Sequence, residues 1–332
     1  MIVVAHPRVA VDADPSTSDV LDQVDLVTRA LGALGEPFST VAADGGRVWE
    51  AIAPRPGDVV FNLLEAPPGS PQLHSAATAA LELLGLAFTG SAAAAMWLTT
   101  DKLATRALLA DHGLPVAAGG RFDPDRPMLL EAVPSPWILK PAFEDASLGL
   151  EGDPVCATAA QAAARGRELA ARFPGQPIVL EHFLPGREFN VALLEDAGGL
   201  EVLPVAEIAF VDFPPGVPAL VGYEAKWRSG SFEYEHTVRR FPSPEVDGAL
   251  LDELAELARS AWRACGLAGY ARVDLRLDES ARPRILEVNA NPCLSADAGF
   301  MAAAAQAGLS AAQVVGRIVA AARGHADRPK RP

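Results

Sequence analysis

Four polar side chains near the C-terminal end of the chain have the types and the spacing of a metal–phosphate site. Arg272 and Asp274 stand two apart in one apolar run, and Glu287 and Asn289 stand two apart in the next. Side chains two apart on a strand share a face. A symmetric hairpin would therefore place Asp274 opposite Glu287 and Arg272 opposite Asn289. Carboxylate and carboxamide oxygens suit Mg²⁺, and an arginine can hold a phosphoryl group or a developing oxyanion.

The alternative for this cluster is a ladder of ion pairs on the surface of a hairpin. Such ladders are common and have no catalytic role. An asparagine on the same face, followed by Asn291-Pro292, is not needed for a ladder. The pattern therefore favours the metal–phosphate site.

Three lysines extend this site. The chain has 24 Arg but only 4 Lys, and Lys330 lies in a polar tail. A compact ammonium and a planar guanidinium are not interchangeable at a tight site. Lys102 begins a predicted helix, Lys140 ends an apolar strand, and Lys226 lies in Tyr-Glu-Ala-Lys-Trp. Each alone is typical of a solvated surface, but together they favour neutralisation of phosphate.

The segment 179–194 has the residue types of a nucleotide-binding hinge. Glu181, His182 and Phe183 could bind adenine edges and stack on the ring, and Glu188 could hold ribose hydroxyls. The alternative is a plain pair of strands joined by a turn at Gly186. The local sequence leaves both open.

Length and charge limit the function classes. The chain has 332 residues, of which 50% are hydrophobic, and a net charge of −14. This indicates two or three globular domains. Nucleic acid and anionic membrane are poor partners, since both require a basic surface. There is no predicted membrane span or signal peptide, and the three cysteines are far apart, so we expect a cytoplasmic protein.

The predicted elements divide the chain into three domains and a tail. Strands alternating with helices predict a parallel α/β domain at 1–95. A middle domain at 96–185 contains the glycine-containing loop 142–153. Strands with antiparallel character and two helices follow at 186–324, and 325–332 is a polar tail.

An ordered set of motifs over about 58–324 resembles the ATP-grasp superfamily, and within it the D-alanine–D-alanine ligase-like group. The motifs are DVVFNLLE, LELLGLAFTGS, the DK at 101–102, ILKP, Ser147-Leu-Gly149, EHFLPGREF, EAKW, ARVDLRL, ILEVNANP and AAAAQAGLS. The resemblance implies a mixed α/β fold. Its N-terminal parallel α/β domain precedes two α+β subdomains that clamp ATP between antiparallel sheets.

The resemblance also assigns roles to residues. It implies ATP contacts at Lys102, Lys140, Lys226, Ser147 of the mobile lid 142–153, Glu181, His182, Phe183, Leu184, Glu188 and Leu286. Asp274, Glu287 and Asn289 match ligands of two Mg²⁺ ions, for which Mn²⁺ can substitute. Arg272 and Lys226 match catalytic cations. The implied reaction joins a small-molecule carboxylate to an amine through an acyl phosphate, releasing ADP and phosphate. A homodimer is also implied.

The amino-acid half of the site departs from that group. The segment 5–20 lacks its Gly-Gly-x-Ser-x-Glu-type motif, Glu65-Ala66 replaces His-Gly, and Trp227 replaces Tyr. Ala146 and Ala298 stand where the group has serines. These five departures predict amino-acid-like substrates other than D-Ala plus D-Ala, as in peptide or natural-product biosynthesis. Glu65, Trp227 and Ser295 are the candidate substrate contacts.

Three other functions stay open. The first is an authentic D-alanine–D-alanine or D-alanine–D-lactate ligase of cell-wall synthesis. The second is a catalytically silent ATP-binding module, which the retained Arg272, Asp274, Glu287 and Asn289 argue against. The third is a kinase that stops at phosphoryl transfer. The amine requirement for ADP release and the identity of the product separate these.

Overall fold

The computed structural model describes residues 1–10, 15–43, 57–67, 69–125, 129–196 and 198–326. Part of the segment 5–20 and most of the predicted tail therefore lie outside the described residues. The helices are α1 (Pro15–Ala33), α2 (Ser75–Leu83), α3 (Ala93–Thr100), α4 (Lys102–Asp111), α5 (Leu129–Ala132), α6 (Ala159–Arg172), α7 (Tyr223–Trp227), α8 (Phe232–His236), α9 (Pro244–Cys265), α10 (Gly299–Gln306) and α11 (Ala311–Ala326).

The strands form three sheets within the described residues. They are β1 (Ile2–Pro7), β2 (Phe38–Ala43), β3 (Val59–Asn62), β4 (Ala87–Phe88), β5 (Gly119–Phe122), β6 (Trp137–Pro141), β7 (Val155–Cys156), β8 (Ile178–His182), β9 (Glu188–Asp196), β10 (Gly199–Val202), β11 (Ala206–Phe210), β12 (Thr237–Arg240), β13 (Tyr270–Leu277) and β14 (Pro283–Asn289).

The first sheet is parallel, as the alternation of strands and helices predicts. Its order is β2-β1-β3-β4, and every pairing is parallel. Val59–Asn62 of β3 is buried throughout, because helices cover both faces of such a sheet. The helix α1 connects β1 to β2 and extends from Pro15 to Ala33.

The second sheet is antiparallel, with the order β5-β8-β6-β7. One face packs against α6 through a core that contains Trp137, Leu139, Leu169 and Leu180. A capping box of Thr158 and Gln161 fixes the start of α6. The other face carries Lys140 and Glu181, whose side chains alternate with those of the core residues.

The third sheet is antiparallel and has the order β12-β11-β9-β13-β14, with β10 paired to β9. Val191, Val273 and Leu275 point to one face and pack against α9. Their neighbours Asn190, Arg272 and Asp274 therefore point to the opposite face. Sheet alternation thus separates an apolar face from a polar face that is available for chemistry.

A hydrophobic core packs helices from both ends of the chain against the third sheet. It joins Val27 and Leu31 of α1, Tyr270 of β13, Phe300 of α10 and Ile318 of α11. The architecture confirms the predicted mixed fold with one parallel and two antiparallel sheets. The domain boundaries at 95 and 185 stay a prediction. Among the described residues, no helix combines the length and apolar character that crossing a bilayer requires.

Candidate active site

The hairpin of β13 and β14 has the predicted register. Arg272 lies opposite Asn289 and Asp274 opposite Glu287, and a bulge follows Asp274. Arg272 donates to both Asp274 oxygens, from Nε to Oδ1 at 2.7 Å and from a terminal nitrogen to Oδ2 at 2.8 Å. Asn289 Nδ2 donates to Oδ2 at 3.2 Å. The four side chains form one cluster, as their spacing predicts.

Asn190 is a fifth member that the sequence analysis missed. It lies opposite Asp274 on β9, and its Nδ2 donates to Asp274 Oδ1 at 2.8 Å. The pairing joins residues 84 apart in the chain. Four donated hydrogen bonds therefore hold the Asp274 carboxylate in place.

Positive charge converges on Glu287. Lys102 Nζ lies 3.3 Å from Glu287 Oε1. Burial alone would raise the pKa of Glu287, but Lys102, Lys140, Lys226 and Arg272 together lower it to about 2. The four cations that act on this carboxylate can also neutralise the oxygens of a polyphosphate.

The start of α4 positions Lys102. Asp101 caps the helix by accepting from the amides of Leu103 and Ala104 at 2.9 and 3.1 Å. The Lys102 amide donates to Ala142 O at 3.1 Å, which joins this helix to the base of the loop 142–153. Its ammonium is drawn to Glu287 and Asp145, and these two carboxylates outweigh burial and raise the pKa of Lys102.

The residues around Asp274 and Glu287 fit a hard divalent cation. Their potential ligands are two carboxylates and the Asn289 carboxamide oxygen, whose amide nitrogen is the atom that bonds Asp274. Oxygen donors of this kind, completed by phosphate oxygens and water, are the usual Mg²⁺ set. In the described residues no three His, Cys, Asp or Glu side chains group as a metal site. Nucleotide oxygens would therefore have to complete the coordination.

Glu181 lies beside Lys140 on the polar face of the second sheet. Its Oε2 is 2.9 Å from Lys140 Nζ, and its Oε1 is 3.4 Å from Arg106 Nε. Arg106, which the sequence analysis missed, also donates to Gly119 O at 2.7 Å and to Ala117 O. Lys102, Glu181, Leu286 and Glu287 border one cavity, so these four candidates are brought together.

The predicted ATP contact of His182 stays a prediction, and two hydrogen bonds hold its ring elsewhere in this structure. Consecutive strand residues face opposite ways, so the ring points away from Glu181. His182 Nδ1 donates to Pro134 O at 2.9 Å, and Nε2 lies 2.6 Å from Glu279 Oε1. The amides of His182 and Phe183 donate to Ala118 O and Pro136 O. Neither amide is left for adenine.

Phe183 and Glu188 both contact a buried arginine that the sequence analysis missed. Arg276 is 4% exposed, and its guanidinium carbon lies 5.0 Å from the centre of the Phe183 ring. It donates to Glu188 Oε2 at 2.9 Å and to Gly186 O at 3.1 Å. Glu188 therefore has Oε1 for a ribose hydroxyl, and Arg276 fixes its orientation.

The predicted lid 142–153 rests on the segment that carries Lys226. Trp227 Nε1 donates to Ala146 O at 3.0 Å, and Ser147 Oγ donates to Val221 O at 2.8 Å. Lys102 Nζ donates to Glu144 O and lies 3.6 Å from Asp145. Trp227 and Ser147 thus join the two loops in this structure. Their predicted contacts, with substrate for Trp227 and with ATP for Ser147, stay predictions.

Ser295 is buried at 3% exposure, and its Oγ lies 3.0 Å from Cys293 Sγ. Cys293 Sγ in turn donates to Asp19 Oδ2 at 2.9 Å. Burial and the charge of Asp19 raise the pKa of Cys293 to about 12, so it stays a thiol. These residues join β14 to α1. The direct substrate contact predicted for Ser295 stays a prediction.

Glu65 remains a candidate because its carboxyl is unusual. Burial, followed by the charges of Asp19 and Asp145, raises the pKa of Glu65 to about 7. Three acidic side chains thus influence one another where the first sheet meets the lid. A cation brought to this place would be stabilised.

The raised pKa of Glu65 predicts a pH-dependent stability. A carboxyl whose pKa rises from 4.5 to about 7 on folding binds its proton more tightly in the folded state. Stability is therefore lost as pH rises from 4.5 to 7. We expect the Tm of wild type to fall relative to Glu65→Gln across this interval, by thermal unfolding at several pH values. Glu253→Gln, on the exposed face of α9, is the control. Parallel curves for Glu65→Gln and wild type would contradict the shift.

Comparisons with known proteins agree with this geometry. The family described as D-ala D-ala ligase C-terminus matches residues 126–320. A D-alanine--D-alanine ligase of Bordetella petrii is 33% identical over 261 residues, covering 76% of this chain and 73% of the relative. One of Gluconobacter oxydans is 34% identical over 266 residues, covering 79% and 78%.

A solved structure shares the whole fold. The crystal structure of D-alanine--D-alanine ligase from Bacillus anthracis superposes with a TM-score of 0.75 over 98% of both chains, at 16% identity. This likeness shows the fold alone. The family match and the relatives go further: the chain belongs to the D-alanine–D-alanine ligase family of ATP-grasp carboxylate–amine ligases.

Proposed function

We propose that this protein joins D-alanine to D-alanine, with conversion of ATP to ADP and phosphate. The named relatives support this substrate pair, since several at 32–34% identity are D-alanine--D-alanine ligases. They favour it over the other amino-acid-like substrates that the five sequence departures suggest. The function class depends on one observation, the pairing of Arg272 and Asp274 with Glu287 and Asn289 beside three lysines.

The first step is phosphorylation of the donor carboxylate. A carboxylate oxygen attacks the γ-phosphorus of ATP, the bond to the bridging oxygen breaks, and ADP leaves with that electron pair. Lys102, Lys140 and Lys226 neutralise the phosphate oxygens, so catalysis depends on positioning and charge. Mg²⁺, held by Asp274, Glu287 and Asn289 together with phosphate oxygens, would supply further neutralisation.

The second step forms the peptide bond. The amine of the acceptor attacks the acyl-phosphate carbonyl, a tetrahedral oxyanion develops, and phosphate leaves as the amine loses a proton. Arg272 would stabilise this oxyanion, because its guanidinium is fixed by Asp274 next to the phosphate lysines. The loop 142–153, resting on Trp227 and Val221, would keep water from the acyl phosphate.

The adenosine end would lie between the second and third sheets. The fourth residue of the predicted hinge, Leu184, is buried at 4% exposure beside Phe183. Leu286 borders the same cavity as Glu181 and would pack against the base. Glu188 would hold a ribose hydroxyl through its second oxygen.

One observation favours a second candidate, a ligase for another pair of amino acids. Asp145 lies in the lid, 3.6 Å from Lys102, and its charge adds to that of Asp19 in raising the pKa of Glu65. Such a concentration of acids beside the lid would accept a substrate with an additional ammonium group.

ADP release tests both candidates. Purified protein with Mg·ATP would be given D- and L-amino acids, including diamino acids, singly and in pairs, and products would be identified by mass. D-alanine alone giving its dipeptide at rates of seconds or faster supports the main proposal. Turnover confined to a pair with a diamino acid supports the second candidate. ADP release without an amine would indicate phosphoryl transfer alone.

A further inference from the structure

Arg239 lies on the same sheet face as the proposed catalytic residues. It belongs to the edge strand β12, opposite Ile208 of β11, and Ile208 lies opposite Glu188 of β9. Directly opposed residues share a face, and Glu188 shares its face with Asn190 two positions later. The side chain of Arg239 therefore projects to the face that carries Arg272 and Asp274. Arg240, its neighbour, projects to the other face and pairs with Glu207.

The side chains of Arg239 and Arg272 both approach Gly299 at the start of α10. Arg239 donates to Asp297 O at 2.9 Å. A Cβ at Gly299 would lie 3.8 Å from the second terminal nitrogen of Arg239 and 3.9 Å from Arg272 Cδ. Arg239 is exposed as a whole, but partial withdrawal of its charged end from water, followed by the charge of Arg272, lowers its pKa. Two like charges are thus held close together.

Arg239 has a carbonyl partner but no carboxylate partner among the described residues. By contrast, Arg240 of the same strand and Arg187, just before β9, both pair with Glu207. Arg272 already gives two of its hydrogen bonds to Asp274. An anion between the two arginines would relieve their repulsion. The helix α10 begins at Gly299 after Ala298, which gives no side-chain cap, so its first amides add to the positive potential.

We propose that Arg239 binds the carboxylate of the amine-bearing substrate. This inference rests on the proposed ligase function, and it makes the acceptor an amino acid with a free carboxylate rather than a neutral amine. The attacking nitrogen and the carboxylate of an α-amino acid are separated by one carbon. The group that holds the carboxylate must therefore lie next to the group that stabilises the oxyanion. Arg239 meets that condition beside Arg272.

The nucleotide is a less suitable partner for Arg239. The charged groups that act on it are Arg272 and Asp297, whereas Glu287 responds to the three lysines and Arg272. In the third sheet, β13 with Arg272 lies between β12 with Arg239 and β14 with Glu287. The phosphates belong on the lysine side and the acceptor on the Arg239 side.

The test compares D-alanine with D-alaninamide as acceptors. The amide has no carboxylate to phosphorylate, so it can act only as the acceptor, and product masses separate the two reactions. Wild type is expected to favour the acid by at least ~10-fold. Arg239→Gln is expected to raise the KM for the acid acceptor about 10–100-fold, as expected for a lost hydrogen bond between charged groups. The rate with the amide should stay unchanged, and Arg239→Lys should recover part of the preference.

Arg240→Gln is the matched control, since it removes the neighbouring arginine from the other face of the same strand. Thermal unfolding would show that each variant folds. A preference for the acid that is equal in wild type and Arg239→Gln overturns the inference. If wild type forms no dipeptide from D-alanine, the result counts against the proposed substrates. The comparison is then made with the acid and the amide of whichever acceptor the amino-acid panel identifies. A wild type without turnover on any pair overturns both proposals.

Discussion

Replacing Arg272 by lysine is expected to lower kcat about 10²–10³-fold, the usual cost of removing one donor to a developing oxyanion. Lysine keeps the positive charge but cannot donate to both oxygens of Asp274 from one rigid plane, as Arg272 does at 2.7 and 2.8 Å. The lysine ammonium would then be held less firmly at the place where the oxyanion develops. Steady-state ADP release with the active substrate pair measures the effect.

Two companion measurements make this result specific. The affinity for ATP, by titration with the nucleotide, is expected to change less than about tenfold, because the lysines that neutralise the phosphates are untouched. Arg284→Lys is the matched control, since Arg284 pairs with Asp278 elsewhere on the same hairpin, at 2.8 Å. A kcat for Arg272→Lys within threefold of wild type would show that Arg272 only orients Asp274.

The central hairpin could be predicted because its information is local. Two pairs of polar residues, each with a spacing of two, predict one register for their hairpin. The structure has this register at the four site residues, and a bulge shifts the pairing after Asp274. The lysines were identifiable for a different reason. They are rare in this chain, so their positions carried information that 24 arginines could not.

The arginines of the site were missed because arginine is abundant in this chain. Arg106 and Arg276 orient Glu181 and Glu188, the two predicted nucleotide-binding carboxylates. Nothing in their local sequence separates them from solvated arginines. Asn190 depends on the pairing of β9 with β13, which closes a loop of more than 80 residues and has no local signal. Sequence reasoning therefore missed Asn190 because it could not predict this long-range strand pairing.

The opposite orientations of the Glu181 and His182 side chains could be predicted from the sequence. Glu181 and His182 are consecutive in a predicted strand, so only one of the two side chains could face the nucleotide. The structure assigns that face to Glu181, through Lys140, and turns His182 towards Pro134 and Glu279. The loop contacts of Trp227 and Ser147 are a different matter, because they depend on how two irregular segments meet.

The Glu287→Gln variant is expected to lose about 10³-fold in ADP release at a fixed, low Mg²⁺ concentration. A metal-stabilised transition state is worth several kcal/mol, and each 1.4 kcal/mol is a factor of ten. The substitution removes the carboxylate on which four cations converge, and it leaves Lys102 without its partner at 3.3 Å. The variant should also need a higher Mg²⁺ concentration for half-maximal rate, by about 10–100-fold.

A separate readout on the protein alone follows from the pKa of Glu287. Because folding lowers that pKa from 4.5 to about 2, the ionised carboxylate stabilises the fold fully above pH 4.5, and this stabilisation is lost as pH falls towards 2. The free energy of unfolding should differ most between wild type and Glu287→Gln above pH 4.5. Asp278→Asn, at the turn of the same hairpin, is the control that should leave the Mg²⁺ titration unchanged. If Glu287→Gln changes the pH profile of stability but not the Mg²⁺ titration, Glu287 serves only the lysines, and the metal must be held by other groups.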